Sequence, residues 1–344
     1  AALGGMLAPA ALYLVIAGAP ATRSGWGVPM ATDIAFAVGI LMLLGNRVPP
    51  ALRVLLLALA VIDDLGAIVV IAIFYSSGLA LSGLLVAALA FGAVFSMQRL
   101  GVRSKTAYVA PAVVAWAGIY AAGIHPTISG VILGLVTPVR TWLGPEGFVV
   151  RVRRDLAHLV EAVPSSLSTH ELAETLHDVD VARREAMSPA ASLIEMLHPW
   201  VAFGIMPLFA LANAGVAVSG GSLSSESWSG VWAVAVGLVV GKPLGVLLAS
   251  WVTLRLRIGT LPAAITLRHL VVLGVVAGVG FTMALFIAQL AYTDARLLAA
   301  AKIGVLAASG CAAILALVLG RILLAPVEVG VGAQTDDEAE RSTE

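Results

Sequence analysis

The 344-residue sequence is 60% apolar and 12% charged with a mean hydropathy of +1.01, which excludes an ordinary water-soluble domain and fits an all-α, polytopic membrane protein. Its 20 basic and 20 acidic residues cancel, so net charge selects no partner, and no nucleic-acid partner is expected. The single cysteine, Cys311, excludes an intramolecular disulfide and, set in a late apolar span, reads as a small packing residue.

The chain opens on Ala1-Ala2-Leu3-Gly4-Gly5-Met6, apolar from the start and without a basic segment. Its first span closes by Ala17, short of the ~20 residues a crossing helix needs, so it reads as a helix cut by the start of the sequence and not as a signal peptide. Hydropathy predicts ten spans, at 1–17, 27–45, 51–75, 80–98, 106–121, 125–138, 199–218, 229–254, 269–291 and 300–323. Lys and Arg concentrate on the cytoplasmic side of membranes. One set of alternate connections and the tail hold sixteen of them: Arg47, Arg53, Arg99, Arg103, Lys105, Arg140, Arg151, Arg153, Arg154, Arg183, Arg184, Arg255, Arg257, Arg268, Arg321 and Arg341. The other set holds Arg23, Arg296 and Lys302. The alternation supports the span count and a cytoplasmic C-terminus.

Only Asp33, Asp63, Asp64 and Lys242 place a charge well inside an apolar span, where each costs at least ~2.5–3.5 kcal/mol and marks an ion or proton path. In the second span, Pro29 resists a helix interior while Thr32 and Asp33 can bond local backbone, which predicts an interrupted helix; the bland alternative puts Pro29 in a first turn. The third span carries Asp63 and Asp64 side by side. Consecutive helical residues point about 100° apart, so one acid can meet a counter-charge while the other faces a wet cavity. His125, at the start of the sixth span, reads as interfacial.

Residues 139–198 form the one long polar insertion, cytoplasmic by the charge count. Within it His170, Glu174 and His177 would share one face of a helix, a solvated face before a sensor or a metal site. In the eighth span, Lys242 lies too deep to snorkel and needs an acid, with Asp63 or Asp64 the natural partner. In the ninth, Gly274, Gly278 and Gly280 predict either an unwound break or close packing. The tail from Pro326, with Asp336, Asp337, Glu338 and Glu340, reads as disordered. The chain thus divides into transmembrane helices over 1–138, a cytoplasmic loop over 139–198, transmembrane helices over 199–325 and an acidic tail over 326–344.

The stretches Ala31-Thr32-Asp33-Ile34-Ala35-Phe36, Ile62-Asp63-Asp64-Leu65-Gly66-Ala67, His198-Pro199-Trp200, Phe209-Ala210-Leu211-Ala212-Asn213-Ala214-Gly215, Gly241-Lys242-Pro243-Leu244-Gly245 and Gly280-Phe281-Thr282-Met283 together resemble the NhaA family of sodium/proton antiporters. The resemblance implies a twelve-helix bundle of inverted repeats in which two interrupted helices cross near the midplane, an architecture for which this family is itself a standing example. It implies that the second and ninth spans cross, with Asp33 offsetting their half-helix N-termini and Lys242 their C-termini. It makes Asp63 and Asp64 the ion-binding, proton-carrying acids, with Asp63 the partner of Lys242, Thr32 a supporting group at the crossing and His198 a pH-regulation candidate.

The cargo implied is Na+ or Li+ against H+, with no cofactor, in a bacterial inner membrane and surrounded by lipid, with sodium and pH homeostasis as the role. Relative to the family, the first two helices and part of the third are missing, and any homodimer contacts they make go with them. The long insertion departs from the family as well. No ATP-binding motif is present, so the proton gradient is the expected energy source. An intramembrane aspartyl protease also uses acids on two helices, but its Gly-x-Gly-Asp pattern is missing before Asp63 and Asp33. An inert remnant is the third reading.

Overall fold

A computed structural model of the protein describes residues 1–75, 79–102, 104, 106–141, 143–162, 169–215, 225–262 and 264–325. The acidic tail over 326–344 lies outside them. Every regular element among the described residues is helical. Five helices are long and apolar enough to cross a membrane, Pro50–Phe74, Leu81–Arg99, Pro189–Ala214, Ser227–Arg255 and Ala295–Leu323. Two more spans are bent pairs, Pro20–Met30 with Ile34–Leu43 and Leu267–Ala277 with Phe281–Ala291, and three shorter apolar helices are Ala2–Ile16, Thr106–Ala121 and Thr127–Val136. These units correspond one for one to the spans predicted from hydropathy, and the protein is a polytopic helical membrane protein.

The chain forms two compact units, one of residues 1–75 with 210–344 and one of 76–209. In the first, α1 (Ala2–Ile16) is followed by α2 (Pro20–Arg23), which tightens into a 3-10 segment (Ser24–Met30) before α3 (Ile34–Leu43) and α4 (Pro50–Phe74). After residue 210 come the end of α11 (Met206–Ala214), α12 (Ser225–Val236), a π-turn (Gly237–Gly241), α13 (Lys242–Arg255), α14 (Leu267–Ala277), α15 (Phe281–Ala291) and α16 (Ala295–Leu323).

The interruption predicted for the second span is present, and in the ninth span, where a break and close packing were both open, the helix is broken; each break has a local cause. Pro29 has no N–H to continue a helix, and the chain stays extended over Ala31 to Asp33, bending the pair by 51°. The second pair bends by 46° at Gly278–Gly280. There a Cβ on Gly278 would lie 2.6 Å from the Leu238 carbonyl, so glycine is required by close approach and not by packing preference alone. The two breaks meet, since the Asp33 N–H donates to the Val279 carbonyl at 2.8 Å.

α1 and α13 approach so closely that a Cβ on Gly245 would lie 2.0 Å from the Gly4 carbonyl oxygen, and one on Gly4 would lie 2.1 Å from that of Gly245. Glycines of this kind let membrane helices pack backbone to backbone. α16 is capped at both ends: the Asp294 carboxylate accepts from Arg296 N and Leu297 N at 2.7 and 3.2 Å. At its C-terminus the Arg47 guanidinium donates to the Arg321 and Leu324 carbonyls at 3.1 and 2.8 Å. Cys311 departs from the sequence reading, because it sits on an exposed side of α16 and fills no core position.

The second unit holds α5 (Leu81–Arg99), α6 (Val109–Ala121), α7 (Thr127–Val136), α8 (Gly144–Ala162), α9 (Thr169–Ala186) and α10 (Pro189–Trp200), which runs through a π-turn (Val201–Ile205) into α11. α5 and α6 meet at Gly83 and Gly118, where an added Cβ would lie 2.4 Å from Ala122 N and 2.6 Å from Ala87 N respectively. The seventh span was expected to begin at residue 199, but its helix starts at Pro189. The Ser188 side chain accepts from Ala191 N at 3.1 Å and Pro189 occupies the first helical position, a start signal that outweighs the polar character of the segment. Most of the remaining insertion folds as the α8–α9 hairpin, with Arg151 paired to Glu185 at 3.2 Å. His170, Glu174 and His177 are exposed on α9.

Candidate functional site

The polar residues of the first unit converge where the two broken helices meet. α4 brings Asp63 there fully buried, while Asp64, one step round the helix, is only partly covered. The π-turn before α13 sets Lys242, also fully buried, so that its Nζ lies 3.0 Å from Asp63 Oδ2. The same ammonium donates to the Met30 carbonyl, at the C-terminal end of the 3-10 segment. Lys242 therefore compensates both a carboxylate and the negative end of a half-helix.

Thr32, in the extended break, places its Oγ1 3.0 Å from Asp63 Oδ2 and 3.0 Å from the Ala277 carbonyl, the last residue of α14. Its one proton can go to either oxygen, so the hydroxyl adapts to the charge on Asp63.

Asp33 serves the opposite ends. It is 1% exposed. Its Oδ1 accepts from Phe36 N at 3.1 Å, capping α3, and its Oδ2 accepts from Thr282 N at 3.0 Å and from the Thr282 hydroxyl, capping α15. One carboxylate thus faces the partial positive charge of two half-helices. Another orphan donor of α15, Phe281 N, goes to Ser309 Oγ of α16 at 3.1 Å.

Among the carboxylate oxygens of the described residues, Asp63 Oδ1 and Asp64 Oδ1 are buried without a hydrogen-bond partner. Buried polar atoms are normally satisfied, so unpaired carboxylate oxygens call for an occupant. They are the hard donors here for a small cation. Gly5 of α1 faces the Asp63 carboxylate, where an added Cβ would lie at van der Waals distance, 3.9 Å, from both oxygens and more tightly, 3.0 Å, against Val246 Cγ2.

The arm that carries Met30 is braced at its far end. The hydroxyls of Tyr13 and Tyr292 each lie 2.8 Å from the Thr22 carbonyl and bond to each other, and the Tyr75 hydroxyl donates to the Ser24 carbonyl at 2.7 Å. Thr32, Asp33, Asp63, Asp64 and Lys242 therefore gather at one place, whereas His198 lies exposed on α10 in the unit of 76–209.

The reading from sequence assigned nothing to Thr282 or Ser309. Thr282 carried a signal, being a hydroxyl directly after a glycine break in an apolar span. Ser309 carried none, since its stretch Ala308-Ser309-Gly310 reads as small-residue packing.

Comparisons with known proteins show the family to which the chain belongs. The "Na(+)/H(+) antiporter NhaA 2" of Myxococcus xanthus is 69% identical over 343 residues, covering 100% of this chain and 73% of the relative. Its counterpart of the same name in Sorangium cellulosum is 52% identical over 345 residues, with 100% and 74% covered. A Pseudomonas putida protein of that name is 48% identical over 322 residues, with 93% and 71% covered. Residues 1–319 match the family described as Na+/H+ antiporter 1. With its crossing helices, its buried acid–lysine pair and these whole-chain matches in view, the chain belongs to the Na+/H+ antiporter 1 family.

Proposed function

We propose that this protein is a secondary antiporter that exports Na+, or the smaller Li+, in exchange for H+, with Asp63 and Asp64 as the acids that carry both. It is a transporter and not an enzyme. The observation that carries the reading is the pair of buried, unpartnered oxygens, Asp63 Oδ1 and Asp64 Oδ1, beside an ammonium that already neutralises one of the two acids.

Each acid holds a proton or gives its oxygens to a cation, never both at once. With both deprotonated, Asp64 offers a full negative charge, and Asp63 is shared between Lys242 and the incoming ion. A dehydrated cation then bridges the orphan oxygens and loosens the Asp63–Lys242 contact, with Thr32 turning its proton from Asp63 to the Ala277 carbonyl. On the opposite side of the membrane, protons displace the cation and the ammonium returns to Asp63. An empty site with both acids ionised and one that holds cation and protons together each carry uncompensated charge through an apolar barrier, so exchange follows from competition for the same oxygens.

The proton gradient supplies the energy, and the role is sodium and pH homeostasis across a bacterial inner membrane, with the C-terminus cytoplasmic. His198 is a pH-regulation residue in this reading, acting from α10.

The test is sodium-driven dissipation of a pH gradient in everted vesicles lacking other antiporters. The complete protein should dissipate it on addition of Na+ and of Li+. Asp64→Asn should reduce dissipation to the background of empty vesicles. Exchange at the wild-type rate by Asp64→Asn refutes the assignment.

A further inference from the structure

Outside the apolar helices, the α8–α9 hairpin has two exposed faces of different chemistry. α9 turns out His170, Glu174, His177 and Asp178 on one side, and exposes Leu172 and Leu176 at 39% and 56% on another, with no basic side chain between them. On α8, Phe148, Arg151 and Val152 are half-buried, and Arg151 meets Glu185 of α9. On its opposite side it exposes Val149, Val150 and Leu156 at 58%, 69% and 48%. Positions 149, 150, 153, 156 and 157 fall on one helical face at 3.6 residues per turn. Arg153 stands at the centre of that face, exposed and without a carboxylate partner among the described residues. An apolar surface with a cation in its middle, on a helix that buries a different side, is the pattern of a helix lying in a membrane interface.

The roots of the hairpin fix where it can reach. The apolar α7 ends at Val136 and the helix from Pro189 to Ala214 is long and apolar enough to cross a membrane, so apolar elements flank the hairpin on both sides. Ala190 N donates to the Pro138 carbonyl at 3.2 Å and Leu143 N to the Glu185 carbonyl at 3.1 Å, pinning the outgoing and returning segments together. The hairpin therefore leaves the bilayer at one point, and α8 starts there, with Arg140 exposed at the root.

We propose that α8 lies on the surface of the same membrane, its Val149, Val150 and Leu156 side chains at the boundary of the acyl chains and Arg153 among anionic lipid headgroups. The occupant of this face is an anionic phospholipid leaflet, by complementarity with an exposed arginine set among apolar side chains and by continuity with the apolar helices on either side. α9, with its acidic outer face, is directed to water.

The test uses the complete protein in a Cys311→Ala background, with a nitroxide at Val150→Cys, Leu156→Cys or, as the aqueous control, Glu174→Cys. The proteins are reconstituted in phosphatidylglycerol-containing vesicles or in pure phosphatidylcholine, and label collisions with oxygen and with a water-soluble nickel chelate are measured. Labels at 150 and 156 should be enriched in oxygen collisions and shielded from nickel, and the label at 174 should show the reverse. Shielding should fall in phosphatidylcholine and in Arg153→Glu.

Nickel access at 150 and 156 equal to that at 174 overturns the proposal. Equal shielding in both lipids overturns the assignment to an anionic leaflet. Shielding from both oxygen and nickel, which marks burial against protein, assigns the face to a second copy or to the acidic tail and overturns it as well; removing residues 326–344 separates those two.

Discussion

Replacing Asp33 by Ala removes one carboxylate from two helix starts at once. Its oxygens accept from Phe36 N at 3.1 Å and from Thr282 N at 3.0 Å, with the Thr282 hydroxyl as a third donor, in a site 1% exposed. Loss of a single cap costs ~0.5–2 kcal/mol, and here neither freed N–H can turn to water, so two caps cost about 2–4 kcal/mol. Removing the anion from the two half-helix N-termini adds about 1–2 kcal/mol in buried geometry. The sum for Asp33→Ala is about 3–6 kcal/mol, which at ~2 °C per kcal/mol for a large domain lowers the melting temperature by about 6–12 °C.

Asp33→Asn keeps one carbonyl acceptor but turns an NH2 toward the second set of donors, and should lose about half as much. Thr282→Val, which leaves the Thr282 N–H on Asp33, should lose less than either. The measurement is thermal unfolding of the purified protein in detergent, followed by size-exclusion of the surviving fraction. An Asp33→Ala variant melting within ~2 °C of the wild type would show that the carboxylate does not hold the crossing together.

Lys242→Met leaves Asp63 buried and charged with no partner, and should cost about 3–5 kcal/mol, whereas adding Asp63→Asn should recover much of it; a double-mutant cycle of melting temperatures that gives strict additivity would contradict the 3.0 Å pair. Asp64→Asn should abolish exchange while leaving the melting temperature unchanged or raised, because Asp64 Oδ1 makes no hydrogen bond that the substitution could break; a parallel loss of stability would point to a structural role instead. Gly245→Ala puts a methyl 2.0 Å from the Gly4 carbonyl oxygen, so α1 and α13 must part by over ~1 Å at a cost of about 1–3 kcal/mol. Ala8→Gly should not rescue it, since it relieves the side-chain contact at 2.7 Å and not the backbone one; rescue seen in thermal melts would refute the backbone clash.

The spans were legible because an apolar stretch long enough to cross a bilayer has no other use, and the charges stood out because burying them is costly. Pro29 announced the first break through its missing N–H, whereas the glycines of the ninth span allowed either a break or close packing, and the structure shows both at once, a bend at Gly278–Gly280 and a backbone approach at Gly278. The family was legible in short motifs that keep their order over nearly the whole chain. Harder to see was the helical start at Pro189, where a polar surrounding hid the Ser188 cap, and the outward face of Cys311, since hydropathy does not say which side of a lipid-embedded helix meets protein.

What the sequence determined by itself was therefore local or additive: helix content, span count, the positions of breaks and the short set of residues whose charge needs an explanation. Which oxygens those residues meet was decided only by the tertiary structure. Lys242 could have paired with either adjacent acid, and the choice of Asp63, the sharing of Asp33 between α3 and α15, and the capping of Phe281 N by Ser309 join residues up to 249 positions apart. No periodicity encodes such contacts. They arise because two interrupted helices meet at their breaks, and the backbone groups freed there must be satisfied by whatever side chains the neighbouring helices carry to that depth.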